Sequence, residues 1–194
     1  HVDFAHEAVG RVREINRMRP VRYLCDPVLG DDLKGLYIAQ SAAEALRDRL
    51  IGIADIATPN RFELSYLAMA STRVEVRSAR NAAAADIGCP FVVATSVPSE
   101  NGGETINVLR SGASTRMTRV PLREAAPHGT GDLFSALLLA ELMESGNAEA
   151  ALGFATAGVD ATLAASTGSD MLSLAALISK PHHRANWTVE ELRG

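Results

Sequence analysis

The sequence predicts an α/β fold, an open and mostly parallel sheet covered by helices on both faces. Two observations carry this. Short apolar runs closed by Pro, Gly or Asp alternate with longer segments whose apolar residues recur three and four apart. Each short run is also followed at once by polar side chains: Asp26 after the first, Thr58 and Asn60 after the second, Thr95 and Ser96 after the third. In such sheets ligands bind beyond the carboxyl ends of the strands, which is where those residues stand. The 194 residues, 47% hydrophobic, suffice for one sizeable core and are read as a single domain, 1–194.

Taken in order, the chain opens on a helical face formed by Val2, Ala5, Val9, Val12 and Ile15. That pattern is already running at His1, with no initiator Met and no cap, so the domain is expected to be N-terminally incomplete. "VRYLCDP" (21–27) suits a buried strand, and "VLGDDLKG" a loop. "SAAEALRDRLIGIA" reads as a helix with Ser41 as N-cap and Glu44 as its capping-box partner. "ADIATPN" is a second strand ended by Pro59, and "RFELSYLAM" starts a helix at once. "RSARNAAAADIG" is a helix stopped by Gly88, and "PFVVATS" a third buried strand. "ETINVLRS" and "STRMTRV" flank Ser111–Ser114 as a hairpin with one wet face. Two long helices follow, about 131–145 and 147–166, parted at Gly146-Asn147. The tail is expected to end in a short helix capped by Thr188, with Trp187 as its anchor. Met69, Met117, Met143 and Met171 are candidates for the core.

Composition excludes several classes. A net charge of −4 without a Lys/Arg cluster argues against a nucleic-acid partner. The longest apolar stretches, such as "LFSALLLAELM", fall short of the ~18–20 residues that span a bilayer, so no membrane partner is expected. Cys25 and Cys89 lie in or beside apolar runs and no secretory signal precedes them. That suits buried thiols in a reducing compartment, here the cytoplasm.

Chemistry concentrates in "PHGTGDLFSALLLAELM" (127–143). The N–H groups of Gly129, Thr130 and Gly131 can converge at the start of the following helix, making an anion site with small side chains around it. A carboxylate at Asp132 would repel a bound phosphate in the ground state. It is useful if it takes a proton from a hydroxyl attacking phosphorus while the hole holds the charge of the transferring group. Read as local structure alone, the glycines are a turn and Asp132 is a first-turn helix charge. "DPVLGD" and "TPNRFE" supply Asp26, Asp31, Asn60 and Glu63. Asp26, Asp31 and Glu63 can gather around Mg²⁺, directly or through water, or can serve as turn and first-turn residues. Asn60 and Glu63, three apart, share a helix face. His182-His183 reads as solvated tail, since adjacent residues do not share a face, and His128 as a loop histidine.

With "CDPVLGD", "TPNRFE", "VATS" and "HGTGDLFSALLLA" in this order, the chain from Val21 to the second long helix resembles the pyridoxal kinases of the ribokinase-like superfamily. The resemblance implies transfer of the ATP γ-phosphoryl group to the 5′-hydroxyl of pyridoxal, with pyridoxine and pyridoxamine as further substrates. It also implies Mg²⁺, a monovalent cation as an optional companion, and a homodimer. By the same resemblance Asp132 is the base and Gly129, Thr130 and Gly131 the anion hole. Asp26, Thr58, Asn60 and Glu63 match positions that meet nucleotide phosphates and metal, and Thr95 and Ser96 flank the triphosphate. Tyr37 lies near the substrate, and Arg119 to Leu122, with Val120, lies beside the adenine. Family members carry a further N-terminal part with the first strands and much of the substrate pocket. Sugar kinases of the superfamily typically read "GAGD" where this chain has Thr130. Hydroxymethylpyrimidine kinases, the alternative enzyme, usually carry Cys where Asp132 stands and a "KGGH"-like loop in place of "ATSVPS". A vitamin-binding protein of the same fold without turnover is the non-enzymatic alternative. The kinase reading expects the four loops to converge on one cleft with Asp132 facing its mouth. That cleft is expected to be open, and an apolar sheet edge exposed, where the further part would pack.

Overall fold

The computed structural model describes residues 2–68, 76–123, 126–178 and 187–192. Helix α1 (Val2–Met18) leads to strand β1 (Leu24–Cys25) and a small hairpin of β2 (Gly30–Asp31) and β3 (Gly35–Leu36). Helix α2 (Gln40–Ala45) continues as a π turn over Leu46–Leu50 and a 3-10 turn over Ile51–Ile53, then β4 (Ile56–Ala57) and α3 (Arg61–Ala68). Next come α4 (Ala79–Ala84) and the long strands β5 (Phe91–Pro98), β6 (Glu104–Ser111) and β7 (Ser114–Pro121). Helices α5 (Thr130–Ser145), α6 (Ala148–Ala165) and α7 (Ala175–Ile178) precede β8 (Glu190–Glu191).

The main sheet has six strands in the order β1-β4-β5-β6-β7-β8. β1, β4 and β5 run parallel, and the expected hairpin extends the sheet antiparallel through β6 and β7. Alternation along β5 sends Val92 and Ala94 to one face and Val93 to the other. The first pair packs with Leu29, Ile51, Leu64 and Val108 in a core that also takes in residues of α1 to α4. Val93 packs with Ile56, Leu109, Phe134, Leu138 and Leu152 beneath α5 and α6. Helices therefore cover both faces, as expected. β1 forms one edge, with Tyr23 and Leu24 only partly buried.

Side-chain caps set the starts of several helices. Ser78 Oγ accepts from Asn81 N at the head of α4. Asn147 Oδ1 accepts from Glu149 N (2.9 Å) and Ala150 N (3.1 Å) at the head of α6, directly after Gly146 ends α5 at φ 66°.

Several expectations are corrected. Ser41 is not the N-cap of α2, whose flanking residue is Ala39, and Gln40 hydrogen-bonds Glu44 within the helix instead. Helix α4 ends at Ala84, four residues before Gly88. The tail is a strand, not a helix: Glu190 and Glu191 pair with Met117 and Arg116 of β7. Trp187 does anchor it, donating from Nε1 to Arg119 O at 2.9 Å. Met117 is buried, whereas Met143 and Met171 are exposed. Met69 and His182-His183 lie outside the described residues. Cys25 and Cys89 are free and buried, and burial pushes the Cys25 thiol up to about 11.

Candidate active site

Because β1, β4 and β5 are parallel, the residues that follow the first two and those at the end of the third emerge along one sheet edge. There they line a single cleft of about 850 Å³. Asp26, Thr58, Asn60, Thr95 and Ser96 face it from the sheet side, and Gly129, Thr130, Gly131 and Asp132 from the head of α5. Asp31, Tyr37, Glu63 and Val120 line it too. Asn60 continues the parallel ladder by bridging to Thr95, whose N–H donates to Pro59 O at 2.9 Å. Exposed Val28, Tyr37 and Leu122 stand at its rim.

The head of α5 differs from those of α3, α4 and α6. Its N-cap is Gly129 at φ 88°, in the left-handed region, and no side chain caps it. The first intrahelical donor is Leu133, whose N–H reaches Gly129 O at 2.9 Å. The N–H groups of Thr130, Gly131 and Asp132 precede it and are left for an anion, with the helix dipole behind them. Thr130 Oγ1 is turned back to Pro127 O (2.7 Å), which pins the loop and keeps its hydroxyl off the open donors. A methyl group built on Gly131 would lie 3.9 Å from Asp26 Oδ2, so the glycine keeps the approach between them narrow but clear.

Asp26 and Asp132 share this end of the cleft. Burial raises the Asp26 carboxyl above its ordinary value, a hydrogen bond from Ser135 opposes that, and the charge of Asp132 adds to it. Ser135 Oγ donates to Asp26 Oδ2 at 3.1 Å. Since its single proton is used there, Thr58 Oγ1, 2.8 Å away, is the donor to Ser135. Thr58 is 4% exposed, so its hydroxyl serves this chain. Ser135 was not anticipated. It lies three residues after Asp132 on the same helix face, and that spacing was its only signal.

Glu63 and Asp31 take the turn and first-turn roles that the sequence left open beside metal binding. Glu63 is 3% exposed and accepts from Leu29 N (2.7 Å), Gly30 N (3.4 Å) and Asn60 N (2.9 Å). Asn60 Oδ1 accepts in return from Glu63 N at 2.9 Å, which closes a reciprocal capping box on α3. Asp31 Oδ1 accepts from Leu33 N and Lys34 N, and Asp31 Oδ2 accepts from the Tyr37 hydroxyl. That hydroxyl bond is the main cause holding the Asp31 carboxyl below its ordinary value. The expected metal trio of Asp26, Asp31 and Glu63 is therefore not assembled. Among the described residues no group of three His, Cys, Asp or Glu side chains is placed to hold an ion.

Arg119 also leaves the set. Alternation on β7 turns it to the opposite face, where it pairs with Glu190 (3.4 Å) and Glu104 (4.0 Å), while Val120 faces the cleft. Two positive-φ residues other than glycine line the cleft, Val28 (φ 45°) and Ser96 (φ 56°). Ser96 sits where the β5–β6 register shifts between Ala94 and Val97. Such strained backbone concentrates at functional sites.

An open α/β sheet whose strand ends face an uncapped helix start and a carboxylate defines a ribokinase-like protein. Solved structures of pyridoxal kinases share the fold. A pyridoxal kinase from Entamoeba histolytica superposes with a TM-score of 0.86 at 26% identity, covering 98% of this chain and 69% of that one. A pyridoxal kinase from Leishmania donovani, in complex with ADP and pyridoxine, gives 0.84 at 28% identity, covering 99% and 71%. A family model described as phosphomethylpyrimidine kinase matches residues 4–173, and the chain belongs to that family. A pyridoxal kinase from Rubrobacter xylanophilus is 34% identical over 164 residues, 80% of this chain and 54% of the relative. The human pyridoxal kinase is 32% identical over 154 residues, 71% of this chain and 49% of the relative. The chain thus spans about half the length of these curated relatives. No described helix is long and apolar enough to cross a membrane.

Proposed function

We propose that this chain carries the nucleotide and phosphoryl-transfer site of a pyridoxal kinase, which phosphorylates the 5′-hydroxyl of pyridoxal from ATP. The observation that carries it is Asp132 standing at the uncapped head of α5, in one cleft with Asp26, Asn60 and Thr95. The names of the relatives point to the same activity. Asp132 accepts the hydroxyl proton as that oxygen bonds to the γ-phosphorus, and the bond to the ADP oxygen breaks. The N–H groups of Gly129, Thr130 and Gly131, with that of Asp132 next to them, hold the charge on the equatorial oxygens. Asp132 matches the base of pyridoxal kinases, where hydroxymethylpyrimidine kinases usually have Cys.

Mg²⁺ fits the donor set. Asp26 and Asp132 place two carboxylates at one end of the cleft, and Ser135 is the one described side-chain donor to Asp26. That excess of negative charge suits a cation arriving with the nucleotide phosphates, held by Asp26 through water. Bound there, Mg²⁺ would neutralise phosphate charge. Asp31 and Glu63 act by fixing the loop that carries Asp26. Tyr37 is hydrogen-bonded to Asp31 at the rim, and in this reading it meets the vitamin. A cytoplasmic location, a homodimer and an accompanying monovalent cation belong to this reading through the family resemblance.

The test is a coupled ADP-release assay offering pyridoxal, hydroxymethylpyrimidine and ribose in turn. Turnover on pyridoxal is expected. Turnover on hydroxymethylpyrimidine or ribose with none on pyridoxal would overturn the assignment.

A further inference from the structure

Hydroxyls on the helices of this chain share a habit. Ser65, Ser145, Thr156, Thr162 and Ser166 each donate back to the carbonyl oxygen four residues earlier, at 2.7 to 3.0 Å. Ser135 departs from it. Three residues after Asp132 on α5 and 7% exposed, it sends its proton to Asp26 Oδ2 at 3.1 Å, 109 residues away in the chain.

Two features account for the diversion. Thr58 Oγ1, buried just after β4, donates to Ser135 Oγ at 2.8 Å, and a hydroxyl that accepts a hydrogen bond is polarised to donate more strongly. Strand β4 lies beside β1, with Thr58 N donating to Cys25 O at 3.1 Å, so the sheet that carries Asp26 also aims the hydroxyl that aims Ser135. Asp26, for its part, needs holding. Among the described residues no other side chain donates to it, and it shares one end of the cleft with Asp132, whose like charge repels it. A hydrogen bond drawn from α5 keeps Asp26 at the helix that carries Asp132, against that repulsion.

We infer that Ser135 is a positioning residue for the divalent cation that accompanies the nucleotide: backed by Thr58, it holds the Asp26 carboxylate beside Asp132 before the nucleotide arrives. This deepens the kinase reading and rests on it. Without a tether, two like charges at one end of a cleft turn apart, and gathering them again would be subtracted from the affinity for the cation. With the tether, that arrangement is already made in the folded chain. Ser135 does not line the cleft itself, so it acts through Asp26 alone.

The experiment measures ADP binding to the whole chain by calorimetry with and without Mg²⁺, and the ratio of the two affinities is the readout. Ser135→Ala should lower that ratio about tenfold, the worth of one hydrogen bond to a charged group, while Mg²⁺-free ADP binding stays as in the wild type. In an Asp26→Asn background, Ser135→Ala should lower the ratio no further, because its effect runs through Asp26. Thr58→Val, close to threonine in shape, frees Ser135 Oγ to turn back to Gly131 O and should lower the ratio in the same direction, so the test does not hang on one variant folding. A ratio unchanged in Ser135→Ala or in Thr58→Val overturns the inference. So does a loss that is equal with and without Mg²⁺, or one that adds to that of Asp26→Asn. Each of these leaves the kinase reading intact. A wild type whose ADP binding Mg²⁺ does not strengthen also overturns the inference, whereas a wild type that binds no ADP removes the kinase reading itself.

Discussion

Replacing Glu63 by alanine should cost stability before it costs chemistry. Its carboxylate accepts from Leu29 N and Asn60 N at 2.7 and 2.9 Å and, at 3.4 Å, more weakly from Gly30 N. A hydrogen bond to a charged group contributes about 1.5–3 kcal/mol, so the two short bonds together hold about 3–6 kcal/mol. Burying the carboxylate offsets part of that, the same burial that raises its pKa. Glu63→Ala should therefore lose about 2–4 kcal/mol, and Glu63→Gln, which keeps one acceptor oxygen, about half as much. Urea unfolding followed by circular dichroism is the assay. With a slope of about 2 kcal/mol/M, the alanine variant's midpoint should fall by about 1–2 M at unchanged slope. A loss under about 1 kcal/mol would refute the capping account. So would a Glu63→Gln variant of unchanged stability that bound Mg–ADP tenfold more weakly, because Glu63 would then be a metal ligand.

Two further outcomes follow from the same geometry. Gly129→Ala should lose roughly 1–2 kcal/mol from placing a Cβ at φ 88°, with a drop in Tm of several degrees. The new methyl group would meet Leu172 at 3.5 Å, an ordinary contact, so a much larger loss would show that packing rather than backbone strain dominates. The pH dependence is set by Glu63 and Asp26, whose carboxyls burial lifts above their ordinary 4.5 and 3.8. Just above those values the folded chain binds more protons than the unfolded one, so their contribution to stability falls as pH rises through the window. Between neutral pH and about 4.5, the wild type should gain stability relative to Glu63→Gln as pH is lowered. The opposite slope would mean that the backbone donors favour the ionised over the protonated carboxyl by more than burial disfavours it.

What was legible in the sequence was whatever is local. "GTGD" before an apolar run marked the head of α5, and polar residues after strands marked the cleft, because strand direction alone places them at one edge. Local signals with two uses stayed open between them. Glu63 reads as a metal ligand or a first-turn helix acid, and the approach of Leu29 N and Gly30 N, with the reciprocal bonds to Asn60, shows its structural role. Arg119 was placed beside its neighbour Val120, although strand alternation separates their side chains. Features that depend on distant pairing were out of reach. β8 forms because Glu190 and Glu191 find β7, against a local helix pattern. Ser135 gains its role from Asp26, which is remote in sequence.

The central claim is that Asp132 is the base of a phosphoryl transfer, and Asp132→Asn tests it most directly. Turnover of pyridoxal with ATP should fall by ~10²–10⁴, the usual contribution of a positioned base, while ATP affinity measured by calorimetry stays near that of the wild type. Near-normal turnover in this variant would contradict the account and reduce Asp132 to a charge at the start of α5.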